Sequence, residues 1–397
     1  ISNRTGRIDF QTQNATSNPF TLCFPREAVT PERLKEALEA VFANYALFST
    51  VCGHDADGVP VLRHVPGRIV HPEIHEVDAH TVDMLMALVR PYRLDGELLY
   101  RCAISATPAH VFLDMDTCHL LTDGTSMANF MSELFSAYRG VPLRQDHYYW
   151  YLESQYRRRM ALEHDADARL LMERFNREDY LCNPTPDLDS RRTGNGRYMS
   201  STPCSLGELQ RRCAALGTSL NKLFVAAALI ALSRHGDRDK VTVEWTYNGR
   251  DENWKRDLVG MTIVSVPVAV DMAAIRCPRD LLSVIDAQNA LGMRYADLSL
   301  GNNGVTPGER DRLIVVYESG FGMGEFLPKG TEISAAYDRL NGVFTRCQIL
   351  LFDTGDANAP MPYYFNYDSE LYSQTLVERL CDYFNEAITW MISGEKQ

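Results

Sequence analysis

The sequence predicts a mixed α/β protein built as two lobes, and three observations carry that prediction. At 397 residues the chain exceeds one ordinary domain and suits two of ordinary size. Short segments of alternating apolar residues interleave with longer segments in which apolar residues recur every three or four positions, as strands alternate with helices. Between residues 183 and 197 the composition changes: Asn183-Pro184-Thr185-Pro186 and Thr193-Gly194-Asn195-Gly196 are loop formers with little apolar content. The boundary is placed there, giving an N-terminal lobe over 1–182 and a C-terminal lobe over 183–397.

Taken in order, Thr30-Pro31-Glu32 opens a helix: a capping hydroxyl, proline at the first helical position, then an acid near the positive end of the dipole. It continues through Leu34, Leu38 and Val41. Asp55 to Gly58 reads as a hairpin-type turn. Thr81 to Val89 is helical and stops near Pro91. A strand over Leu98 to Ser105 precedes a second strand, in which Val111, Leu113, Met115 and Thr117 alternate with Phe112, Asp114, Asp116 and Cys118. Met127, Phe130, Met131, Leu134 and Tyr138 then repeat at helical spacing. A polar helix covers 150 to 178. In the second lobe a helix near Ser205 to Leu216 is broken by Gly217 and Ser219, and the next helix ends at Gly236. Its run from Leu223 to Leu232 is the longest apolar stretch, which suits a buried helix and is too short for a membrane span. Strands follow near 241–247, 262–270, 312–317, 346–352 and 362–367, and the segments 300–310 and 320–333 read as loops.

The chemistry-bearing segment is His119-Leu120-Leu121-Thr122-Asp123-Gly124, where the apolar strand gives way to the amphipathic helix. The alternation puts an ionisable histidine at the strand end, in phase with its apolar face. Asp123 stands four residues on, and Gly124 permits a tight turn. A histidine held in that way can take a proton near neutral pH. The competing reading is a histidine satisfied within the core. Cys118 is adjacent, but neighbouring strand residues point to opposite faces, which makes a Cys-His nucleophilic pair awkward. The same argument separates Asp114 and Asp116 from His119 and argues against a metal held by the three.

The segment CHLLTDG resembles the HHxxxDG signature of the condensation domains of nonribosomal peptide synthetases, whose superfamily shares the chloramphenicol acetyltransferase fold. The resemblance is wider than the motif. ELLYRCAIS and HVFLDMDTCHLLTDGTSMANFMSELFSAYRG are similar to the family's strand, active-site turn and following helix. TSLNKLFVAAALIALSRHG is similar to its long buried helix, and VTVEWTYNGR with LVGMTIVSVPVAV to the strand, Gly-Arg step and glycine-led second strand of its C-terminal lobe. FNYDSELYSQTLVERLCDYFNEAI is similar to its closing strand and last helix, so the blocks run in family order from residue 18 to the C-terminus.

The resemblance implies two chloramphenicol acetyltransferase-like lobes, each a mixed sheet with flanking helices, arranged as a V around a central channel. It implies amide formation between a donor acyl or peptidyl thioester and an acceptor aminoacyl thioester. The catalytic motif would be His119, Asp123 and Gly124, with His119 accepting a proton from the attacking amine or orienting it. Asp123 would hold the turn by pairing with an arginine. The usual arginine position is taken by Phe48 in NYALFST, so either another cation pairs with Asp123, Arg101 being a candidate, or the turn is held differently. Cys118 replaces the motif's first histidine. Asn248-Gly249-Arg250 matches the Gly-Arg step, with Arg250 either an interlobe ion pair or a substrate contact. Val264-Ser265-Val266-Pro267 stands where the family often has Asn-Thr-Leu-Pro, leaving Ser265 as the polar residue there. Alternatives are a freestanding CoA-dependent acyltransferase of the same fold, an epimerisation variant, or a degenerate platform that only binds carrier proteins.

Composition narrows the partners. The formal charge of −12, from 52 acidic and 40 basic residues, argues against nucleic acid, which needs a basic face. The ten cysteines contain no C-x-x-C pair and read as reduced core residues of a cytoplasmic protein. The chain opens without a secretory pattern, and Ile1 stands in mid-domain sequence, so upstream residues are expected. The resemblance implies donor and acceptor peptidyl carrier proteins and an adjacent adenylation domain as partners. Their phosphopantetheine arms would be substrate tethers, with no metal or cofactor bound by the domain itself, which is expected to be monomeric. Arg157-Arg158-Arg159 and Arg191-Arg192 are the local basic runs, suited to docking an acidic carrier or to a solvated helix face.

Overall fold

Two mixed sheets organise the chain, and each is covered by helices whose apolar stripes the sequence announces. The computed structural model describes residues 16–56, 60–93, 96–162, 165–175, 179–190, 192–296, 312–318, 326–340 and 345–393. The elements of the first half are β1 (Ser17–Pro25), α1 (Pro31–Asn44), β2 (Thr50–His54), β3 (Pro60–His64), β4 (Ile74–Glu76), α2 (Val82–Leu88), β5 (Tyr100–Ala106), β6 (His110–Cys118), α3 (Gly124–Tyr138), α4 (Tyr148–Leu162) and α5 (Ala166–Phe175). The second half adds β7 (Asn195–Ser205), α6 (Leu206–Leu216), α7 (Leu220–Gly236), β8 (Lys240–Tyr247), β9 (Val264–Asp271), α8 (Pro278–Arg294), β10 (Ile314–Glu318), β11 (Glu332–Ala335), β12 (Cys347–Phe352), β13 (Pro360–Asp368) and α9 (Gln374–Ser393).

The first sheet has the order β11-β1-β6-β5-β4. Its centre is β6, antiparallel to β1 on one side and to β5 on the other. Leu22, Phe24, Ile104, Val111, Leu113 and Met115 are fully buried against α1 and α3, which contribute Leu34, Leu38, Phe42, Phe130 and Leu134. β2 and β3 pair as a separate hairpin, and residues 57–59 of its turn lie outside the described residues. The second sheet has the order β7-β13-β12-β10-β8-β9, with a parallel centre and antiparallel flanks. Helix α7 lies against it, and every residue from Leu223 to Leu232 is buried. Burying each such leucine contributes about 1.5–3 kcal/mol, which makes α7 the spine of the lobe.

Alternation then decides what the second sheet shows to the rest of the molecule. Val241, Val243, Val315, Ile349, Leu351, Tyr363 and Phe365 belong to the core cluster that includes α7. Their strand neighbours Thr246, Ser265, Glu318, Gln348, Leu350, Phe352, Tyr364 and Asn366 are half-buried and occupy the opposite face.

Several elements differ from the sequence expectation. The helix expected over 150–178 is two helices, α4 and α5. Gly236 is the last residue of α7 rather than its stop; Asp237 takes the left-handed conformation, with φ 50°. β7 replaces part of an expected loop, because the inward positions Gly196, Tyr198, Ser200, Thr202 and Cys204 of this edge strand are mostly small or polar and leave no apolar alternation. β11, exposed throughout, is held by backbone pairing to β1 and so brings a segment from late in the chain into the first sheet. α8 carries buried Gln288 and Asn289 in its inner stripe, bonded to Ala269 and Trp245, which disguises its periodicity. The loop expected at 300–310 lies outside the described residues. No disulfide joins any of the ten cysteines. Among the described residues no single helix is long and apolar enough to cross a membrane.

Candidate active site

The turn after β6 is built by backbone bonds from both neighbours. Cys118 N donates to Leu99 O at 2.8 Å and His119 N to Thr16 O at 2.7 Å, after which Leu121 N closes back on Cys118 O at 2.9 Å. Asp123 then caps α3. Its Oδ1 accepts from Ser126 N at 2.7 Å while its own N donates to Ser126 Oγ at 2.9 Å, a reciprocal capping box. Gly124 is the first residue of α3. The histidine differs from expectation: β6 ends at Cys118, and His119 is exposed in the turn instead of continuing the strand's apolar face. The turn reverses the chain one residue earlier than the alternation suggests.

Asp123 is fully buried, and its partner is Arg250, not Arg101. Arg250 meets it with Nη2 to Oδ1 at 3.0 Å and Nη1 to Oδ2 at 3.1 Å. Thr262 N adds a bond to Oδ2 at 2.8 Å. Arg250 also donates to Asn248 Oδ1 at 2.7 Å and Gly260 O at 3.0 Å. Arg101 is engaged elsewhere, with Asp116 at 3.0 Å and Glu97 at 3.2 Å, and stacks on Tyr92. Phe48, at the position expected to carry an arginine, packs among Phe42, Tyr100 and Phe130. An arginine there would face an aromatic core, so the cation that neutralises Asp123 comes from the second lobe.

Arg250 stands in a long connection between β8 and β9 that grips the first lobe. Leu258 and Val259 are buried in the first lobe's core. Asn129 donates to Arg256 O and Leu258 O, and Tyr148 to Met261 O. Two glycines make the close approach possible. Gly249 has φ +73°, and a Cβ there would lie 2.5 Å from Thr262 O. At Gly260 a Cβ would strike the Tyr148 ring at 2.2 Å.

The remaining expected site residues are spread around this junction. Cys118 is fully buried and burial pushes its thiol up to about 12, so it is a core residue and not a nucleophile. Asp114 accepts from Thr21 at 2.6 Å and bonds His80, while Asp116 holds Arg101. Among the described residues no three of His, Cys, Asp and Glu stand together as metal ligands. Ser265 pairs with Thr246 across β8 and β9 on the face opposite α7. Arg157 is exposed and paired with Glu153. A cavity of about 250 Å³ lies behind the connection, walled by Tyr151, Arg158, Tyr247, Thr262, Val264 and Arg294; His119 is not on its wall.

One ionisable residue escaped the sequence reading. Glu318 ends β10 as His119 follows β6, and that shared position, an ionisable residue closing an apolar strand, was the available signal. Burial first and the Asp123 charge second push its carboxyl up to about 7.

The family model for the condensation domain matches residues 10–301. The chain belongs to the condensation domain family. This family forms peptide bonds by acyl transfer, and its members work in modules with carrier and adenylation domains. Gramicidin S synthase 2 of Aneurinibacillus migulanus is 24% identical over 86% of this chain, which spans only 8% of that protein. Among solved structures, the condensation domain from Monacolin K polyketide synthase MokA aligns with a TM-score of 0.75 at 13% identity, covering 96% of this chain and 94% of that one. The epimerization domain from the third module of tyrocidine synthetase B aligns at 0.72 and 15%, covering 96% and 93%. These structural likenesses establish the two-lobed fold of the condensation domain.

Proposed function

We infer that this condensation domain joins a donor acyl or peptidyl thioester to the amine of an acceptor aminoacyl thioester, both delivered on phosphopantetheine arms of carrier proteins within a peptide synthetase. The observation that carries the reading is the His119-to-Gly124 turn. Asp123 is locked by Arg250 and Thr262 from the other lobe, and the imidazole stays exposed. Departures from the family pattern leave that turn whole, since Cys118 and Phe48 are core residues. This favours a working site over a degenerate platform.

In this mechanism the turn fixes the backbone of His119 while solvent and substrate reach its ring. The imidazole takes a proton from the amine as the C–N bond forms and returns it to the leaving sulfur as the C–S bond breaks. Tethering both thioesters raises their effective concentration to the millimolar range or so. Displacement of water from the ring when both arms are seated protects the thioesters from hydrolysis.

The test is amide formation with donor and acceptor groups loaded on carrier proteins. His119→Ala is expected to lower the rate by about 10²–10⁴-fold with an unchanged melting temperature, because the side chain is exposed. Equal rates for both proteins would remove His119 from the mechanism. A folded wild type that binds carrier protein without making product would favour the platform reading.

A further inference from the structure

The face of the second sheet turned away from α7 carries Glu244, which pairs with Arg312, and Glu318, which the reading above does not use. Glu318 shares its strand face with Ile314 and Val316, whereas Val315 and Tyr317 turn to the core that contains α7. It is half-buried and lies close enough to Asp123, and to Tyr337 after β11, for their charges to interact. Those two residues belong to the first lobe's turn and to the segment that joins the first sheet, so Glu318 lies between the sheets. Asp123 has both oxygens engaged by Arg250, Ser126 and Thr262. Among the described residues, no hydrogen bond or ion pair reaches the Glu318 carboxyl. Arg250 is spent on Asp123, and Arg197 lies beyond Tyr337 over the ring of Tyr364. The neighbouring acid Asp353 accepts from Tyr317. Gln348, Leu350 and Phe352 continue the same half-buried face on β12.

We propose that Glu318 binds the acceptor substrate's ammonium group and takes its first proton, so that a neutral amine is presented to the thioester. This rests on the condensation reading and names the acceptor side of its site. The ammonium proton moves to the carboxylate, leaving a free amine and a carboxylic acid. The nitrogen lone pair then forms the C–N bond while the C–S bond breaks. A second nitrogen proton passes through His119 to the sulfur, which leaves as a thiol. A carboxyl titrating at about 7 suits this exchange, because an α-amino group titrates at about 7.7–8.0 and the transfer is nearly balanced.

The experiment compares an unreactive acceptor mimic, an aminoacyl-pantetheine with an amide in place of the thioester, with its N-acetyl form. Each is titrated calorimetrically at pH 7.5 into wild type, Glu318→Gln and Glu318→Asp. The wild type is expected to prefer the free amine by about tenfold, as for a charge-assisted hydrogen bond. Glu318→Gln should bind both forms equally, and Glu318→Asp should recover part of the preference. A preference that survives in Glu318→Gln, or a wild type with none, including one that binds neither compound, overturns the proposal. In the carrier-protein assay, wild-type kcat/KM should rise as pH rises through about 7, and Glu318→Gln should lose that limb. If Glu318→Gln matches wild type in rate and pH profile while His119→Ala is inactive, Glu318 is excluded and the condensation reading stands. If wild type forms no amide, that reading falls, while the binding comparison still decides the role of Glu318.

Discussion

Asp123, Arg250 and Glu318 show how differently two carboxyls fare a short distance apart. Asp123 is enclosed by donors, whereas Glu318 has burial and a like charge and, among the described residues, no donor. The sign of the consequence follows from linkage. A carboxyl whose folded pKa is raised from the ordinary 4.5 to about 7 holds its proton more tightly when folded, so ionising it costs stability as pH climbs through that window. Glu318→Gln is therefore expected to be more stable than wild type by about 2–3 kcal/mol at pH 8. The gain should shrink below pH 7 and vanish near pH 4, as urea unfolding across that range would read. For the paired acid the expectation reverses. Removing either Arg250 or Asp123 leaves a buried uncompensated charge, and Arg250→Ala or Asp123→Ala should each cost about 3–5 kcal/mol. The double variant should cost clearly less than their sum, and a double-mutant cycle by chemical denaturation measures the difference.

At the scale of elements, the connection between β8 and β9 decides whether Arg250 can reach its target. Gly249→Ala combines a positive φ with a Cβ 2.5 Å from the Thr262 carbonyl, a backbone atom that cannot rotate away. We expect a loss of about 1–3 kcal/mol in stability and a fall in amide formation although no substrate-facing group is changed; thermal unfolding and the carrier-protein assay read the two effects. The turn that carries His119 depends on elements in the same way. Its first bonds go to Leu99 before β5 and Thr16 before β1, and its last residue is the cap of α3.

Across the whole molecule the two lobes are joined by buried apolar groups as well as by charge. Leu258 and Val259 leave the second lobe to complete the first lobe's core, while β11 pairs with β1. Leu258→Ala should cost about 2–5 kcal/mol, the loss for emptying a buried leucine site. Because the lost contact lies between lobes, calorimetry should show a broader transition or two transitions where wild type shows one. A single transition of unchanged width would mean that β11 and the Asp123–Arg250 pair suffice to couple the lobes.

What the sequence determined by itself is what sits within a few turns of chain. The alternation of β6, the apolar run of α7, the Pro31 start and stripe of α1 and the His119-to-Gly124 segment are periodic or contiguous, so they are visible without a fold, although the Thr30 hydroxyl expected to cap α1 makes no cap bond. Elements whose partners are backbone or polar were not: β7 has mostly small or polar residues at its inward positions, β11 is exposed throughout, and α8 hides its stripe behind Gln288 and Asn289. Only the tertiary structure decided that Asp123 meets Arg250, 127 positions away, instead of Arg101. It alone turned Glu318 toward the first lobe, because a charge finds its counter-charge in space and strand alternation names two faces without saying which one a helix will cover.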